Sequence, residues 1–184
     1  MHSTRIRTLL GLCGSLRQQS INATLLSALS AVAPPGVNLV IHQGLGHLPL
    51  FNPDREPAPP AAVRAYWSAL ADCDGVIIAS PEYAHGYTAV IKNALDWAVG
   101  QGSFVNKPVA VLNAAPRSRV AVTALKEVLR TIDACLVEEA SLDIPILGRA
   151  LDESGLVADV ELRARMDTVL AALVRRSRPD QARA

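Results

Sequence analysis

The chain has 184 residues, half of them hydrophobic and 19% charged, which suits one domain with a sizeable core. A formal net charge of +1 excludes a strong global field for nucleic acid. Cys13, Cys73 and Cys135 are widely separated and form no Cys-x-x-Cys pair, and His2, His42, His47 and His85 have no ligand spacing. This pattern excludes a disulfide framework or zinc motif and points to a reducing, cytoplasmic setting with no metal.

The opening residues Met1–Arg5 lack the apolar segment of a signal peptide, and no run approaches a membrane span. Thr8–Cys13 reads as a strand apolar on both faces. The loop Gly14–Asn22 then leads into a helix over Asn22–Ala33, stopped by Pro34-Pro35-Gly36. Such a loop suits an anion. Its free N–H groups and the positive end of the helix dipole converge, Ser15, Ser20 and Asn22 add donors, and Arg17 adds a charged fork. On its own it reads equally well as a capped helix start with Arg17 in solvent.

Val37–Ile41 is the second strand, followed by a long loop, His42–Pro60, functional or interfacial by its length. A helix over Ala61–Ala71 leads to the wholly apolar strand Gly75–Ala79. The next loop, Ser80–Tyr87, sets a proline before two tyrosines, with Gly86 supplying close approach or a positive φ. Helical spacing continues through 88–99. The fourth strand, Pro108–Asn113, precedes a helix over Val120–Ile132, a short fifth strand Cys135–Val137, an irregular extended segment Ile144–Gly148 and a last helix, Val160–Arg176.

Continuous apolar strands alternating with helices predict an α/β fold: a flavodoxin-like, doubly wound, five-stranded parallel sheet in the order 2-1-3-4-5, helices on both faces. The whole of 1–184 reads as one domain, with 1–5 and 178–184 as flexible tails. Ligands of such a sheet bind beyond the carboxyl ends of its strands, where Gly14–Asn22, Ser80–Tyr87 and Ala114–Arg119 meet. Ser15 lacks a Gly-x-Ser-x-Gly elbow, so a hydrolase is excluded.

Three motifs in order, Gly14-Ser15-Leu16-Arg17-x-x-Ser20-x-Asn22, Ser80-Pro81-Glu82-Tyr83 and Lys92-Asn93-Ala94-Leu95-Asp96-Trp97, resemble the NADPH-dependent FMN reductase family. The resemblance implies bound FMN, NADPH or NADH as electron donor, and hydride transfer through the flavin to a flavin, quinone or similar small-molecule acceptor. It implies a phosphate site at Ser15, Arg17, Ser20 and Asn22, and a flavin-ring loop at Pro81, Glu82, Tyr83 and Gly86. It also implies a homodimer or tetramer built through helix 88–99; by the residues alone, that helix also reads as an ordinary crossover with Trp97 as a core or edge residue. No catalytic side chain is required, since the cofactor carries the chemistry. The chain departs from the family after the fourth strand: Asn113-Ala114-Ala115-Pro116-Arg117-Ser118-Arg119 has no glycine. Arg117 and Arg119 are candidates for the nicotinamide or substrate, as is His85. The alternative is a flavodoxin-like electron carrier or redox sensor without nicotinamide chemistry.

Overall fold

The computed structural model describes residues 6–117 and 119–177. The expected tails, 1–5 and 178–184, and Ser118 lie outside the described residues.

Five parallel strands form the central sheet: β1 (Arg7–Cys13), β2 (Val37–Ile41), β3 (Gly75–Ala79), β6 (Pro108–Leu112) and β7 (Cys135–Leu136). Their order is β2-β1-β3-β6-β7, the expected doubly wound arrangement. β3 is buried at every position, as its unbroken apolar sequence requires of a strand covered on both faces. Alternate residues point to opposite layers. Leu9, Ile77, Ala110 and Leu112 face α1 (Ile21–Ala31), α5 (Glu153–Ala158) and α6 (Val160–Arg176). Leu10, Val76, Ile78 and Val111 face α2 (Ala61–Asp72), α3 (Ala89–Val99) and α4 (Val120–Thr131). Each such leucine, isoleucine or valine contributes roughly 1.5–3 kcal/mol on burial, so the two layers dominate stability.

The hairpin after β3 and one short helix were not legible beforehand, whereas Ile144–Gly148 is extended and irregular as expected. Between β3 and α3 the chain folds a small antiparallel hairpin, β4 (Glu82–Tyr83) and β5 (Gly86–Tyr87). The Ile144–Gly148 segment runs alongside the sheet: Asn113 and Asp143 make a parallel bridge, and Ile144 N–H donates to Asn113 O at 2.8 Å. The short helix α5 then begins at Asp152, whose carboxylate caps it by accepting from Gly155 N–H at 2.8 Å.

The long loop after β2 is tied to α3. Asn93 Oδ1 accepts from Phe51 N–H at 2.8 Å, and its Nδ2 donates to Pro49 O at 3.0 Å. Trp97 Nε1 donates to Pro49 O at 2.8 Å, Trp67 Nε1 donates to Trp97 O at 2.6 Å, and Phe51 meets the Trp97 ring edge-on. Trp97 is fully buried, so this chain's own loop covers it.

Candidate functional site

The loops that follow β1 and β3 are joined at Gly14. Its N–H donates to Ala79 O at 2.8 Å, continuing the β1–β3 ladder one residue past the strands. A Cβ there would lie 2.4 Å from Ser80 Oγ and 2.9 Å from Ile91 Cγ1, so only glycine lets the loops approach this closely. Beyond it, Arg17 N–H donates to Ser15 Oγ at 3.4 Å while the Arg17 side chain is exposed. Ser20 and Asn22 sit behind the loop, both nearly completely buried. The Ser20 hydroxyl caps α1 by accepting from Ala23 N–H at 3.3 Å. Asn22 Oδ1 is buried without a hydrogen-bond partner among the described residues, an acceptor left open where a polar ligand group can satisfy it.

Two cavities flank this loop, and Leu16 and Arg17 line both. The larger, about 580 Å³, lies over the start of α1. Ser15, Thr24 and Ser27 line one side, His42 and Gln43 another, and Asp152 and Glu153 close it. The smaller, about 390 Å³, lies between Gly14 and the hairpin, lined by Tyr83, Thr88, Ala89 and Val90. His42, Gln43, Asp152 and Glu153 were missed by sequence reasoning. Their signals were the long loop that begins at His42, read as functional or interfacial without singling out these residues, and an Asp-x-x-Gly helix start that was not read. His42 packs on Tyr66 with ring centroids 5.4 Å apart, and burial pushes its pKa below the ordinary 6.5.

The hairpin turns at Ala84 and His85, with φ of 48° and 59°, a left-handed pair more usually filled by Asn-Gly. Of the two roles open to Gly86, close approach or a positive φ, the second falls instead one and two residues earlier. Glu82 joins the hairpin to α4: its Oε2 accepts from Ala121 N–H at 2.9 Å, and its Oε1 lies 3.3 Å from His85 Nδ1. Tyr83 is exposed, as is the His85 side chain. Arg117 is exposed, and Arg119 pairs with Asp143 at 3.5 Å; neither lines the two cavities. Sheet edge, anion-type loop and hairpin thus converge, while Arg117 and Arg119 stand aside.

Cys13 and Cys135 are only half-buried; Cys13 lines the larger cavity, and Arg176 Nε donates to Cys135 Sγ at 3.2 Å. Cys73 is buried, which pushes its thiol pKa up.

A doubly wound sheet with a glycine-tight loop after its first strand defines a flavodoxin-like mononucleotide-binding protein. The NADPH-dependent FMN reductase profile matches residues 7–145, and the chain belongs to that family. It is similar to a 2-hydroxy-1,4-benzoquinone reductase of Burkholderia sp, 32% identical over 85% of this chain and 88% of that one. It is also similar to an NAD(P)H-dependent FMN reductase of Pseudomonas aeruginosa, 31% identical over 89% and 91%. Among solved structures, the flavoenzyme NAD(P)H:(acceptor) oxidoreductase FerB from Paracoccus denitrificans superposes with a TM-score of 0.79 and 27% identity, covering 93% of this chain and 99% of that one. The protein is an NAD(P)H-dependent flavin oxidoreductase whose cofactor is FMN.

Proposed function

We propose that FMN is held with its phosphate on the Gly14–Asn22 loop and the polar edge of its ring on the backbone of Pro81–Gly86. The observation that carries this reading is the Gly14 junction, which fuses the two loops beside both cavities. Ser15 and Arg17 supply exposed donors for the phosphate, helped by the N-terminus of α1. Asn22 offers its unpartnered oxygen to a ribityl hydroxyl. FMN held by these residues would supply hydride transfer from the nicotinamide to the acceptor, while the protein binds, orients and shields.

The acceptor is a quinone. The benzoquinone-reductase relative supports that class, and so does the smaller cavity, where Leu16, Tyr83, Ala89 and Val90 offer an apolar wall to a planar ring. The enzyme works as a homodimer or dimer of dimers through α3, using Ala89, Lys92 and Val99, which remain exposed beside the internally committed Asn93 and Trp97. Its free thiols suit the cytoplasm, and among the described residues no helix is long and apolar enough to cross a membrane.

The test is to titrate the purified protein with FMN and follow NADPH oxidation with a benzoquinone. Wild type should bind FMN and turn over the quinone; a protein that takes up no FMN rejects the reading. Arg17→Ala should weaken FMN by roughly 1.5–3 kcal/mol, the range for a hydrogen bond to a charged group, and unchanged affinity reassigns Arg17 to the surface.

A further inference from the structure

α4 begins without a cap of its own. Arg119, at its N-cap position, makes no side-chain capping bond, and the first turn has no acidic residue. Yet an uncapped helix start leaves N–H groups and the positive end of the dipole unanswered. The missing cap comes from 39 residues earlier: Glu82 Oε2 accepts from Ala121 N–H at 2.9 Å. By contrast, α1, α3, α5 and α6 are each capped by the adjoining Ser20, Thr88, Asp152 and Asp159. The Glu82 side chain is 12% exposed, and its other oxygen faces His85 across the hairpin turn at 3.3 Å. One carboxylate therefore spans the hairpin and the helix behind the Asn113–Arg119 loop.

We propose that Glu82 is a positioning residue for the flavin: its carboxylate latches the hairpin to the first turn of α4 and so fixes the hairpin, whose Tyr83 lines the smaller cavity, against the helix behind it. This rests on the FMN reading above. Glu82 touches the cofactor through neither oxygen in this scheme. It acts through the backbone N–H groups of the hairpin, which it holds in line, and through its negative charge, which the hairpin carries. Two properties follow. The latch depends on reach, because the oxygen must arrive at Ala121 N–H. The charge sets the ease of flavin reduction, because a neutral side chain on the hairpin no longer opposes a group that gains negative charge.

Glu82→Gln keeps reach and loses charge; Glu82→Asp keeps charge and loses reach. Hydrogen–deuterium exchange of the FMN-free protein, FMN affinity and the flavin midpoint potential are measured on both, with Glu82→Ala beside them. Glu82→Asp and Glu82→Ala should speed exchange at Ala121 and the hairpin amides at least tenfold and weaken FMN at least tenfold. Glu82→Gln should hold wild-type exchange, bind FMN within about threefold of wild type, and shift the midpoint potential upward. Wild-type exchange and affinity in Glu82→Asp overturn the latch, as does a Glu82→Gln variant as damaged as Glu82→Ala. An unmoved potential in Glu82→Gln overturns the electrostatic role. Should Glu82→Ala fail to fold, the Asp and Gln pair decides. A wild-type protein that takes up no FMN rejects the site reading alone, while exchange at Ala121 still reports on the latch.

Discussion

At the scale of single residues, the site depends on one absence and two constraints. Gly14 has no room for a methyl group, so Gly14→Ala must push Ser80 or Ile91 aside. Overpacking of this kind costs about 1–3 kcal/mol, and thermal denaturation should show that loss together with weaker FMN binding. Ala84 and His85 both hold left-handed backbone, which costs a non-glycine residue roughly 1–2 kcal/mol. The double change Ala84→Asn, His85→Gly should therefore raise stability by about 1 kcal/mol, read as a higher Tm; the His85–Glu82 contact it removes is exposed on the His85 side and worth little. His42 adds a pH dependence. Its folded pKa lies below 6.5, so unfolding takes up a proton as pH falls. The His42 contribution is fully present above pH 6.5 and is lost as pH drops toward the folded value. Urea titrations between pH 7.5 and 5 should show His42→Phe flattening that decline. Of these residues, Gly14 was legible because a strand–loop–helix junction calls for a small residue. The Ala84–His85 turn was not, because neither residue signals left-handed backbone.

At the scale of elements, helices and strands followed from apolar spacing almost to the residue, whereas what binds them together did not. The hairpin β4–β5 has two residues per strand, too few for an alternation to register. Helix α5 is six residues long and carries one fully buried side chain, Leu156, so its period was invisible. The long loop after β2 was legible as exceptional by length alone; that Asn93 and Trp97 would turn inward to hold it required the tertiary contacts. Trp97→Ala should accordingly cost about 3–5 kcal/mol, as for a large buried aromatic, and should loosen the 48–51 segment as well as α3. Limited proteolysis would detect the second effect as new cleavage near Leu50, which is already 82% exposed. Intact resistance at that segment would assign Trp97 to core packing only.

For the molecule as a whole, topology was the most legible property, because buried parallel strands must be continuously apolar and must be joined by crossovers. That the loops after the first and third strands share an edge was legible for the same reason: the sheet order tells which loops meet. The larger cavity was only half legible. Its α1 side was read, and its β2 and α5 sides were not, since residues 13–46 and 152–153 meet only once the chain is wound. Assembly belongs to this scale too. If α3 mediates pairing, Val99→Arg should yield a monomer by sedimentation without loss of FMN, because Val99 is half-exposed and away from both cavities. The Trp67–Trp97 contact has a last, optical consequence. These are the chain's two tryptophans, their rings 6.3 Å apart, each indole N–H bonded to a carbonyl at one spot. All intrinsic tryptophan emission therefore originates from the clasp between the long loop and α3. The emission maximum becomes a native gauge of whether that clasp is shut, shifting red on its release, with no dye or label attached.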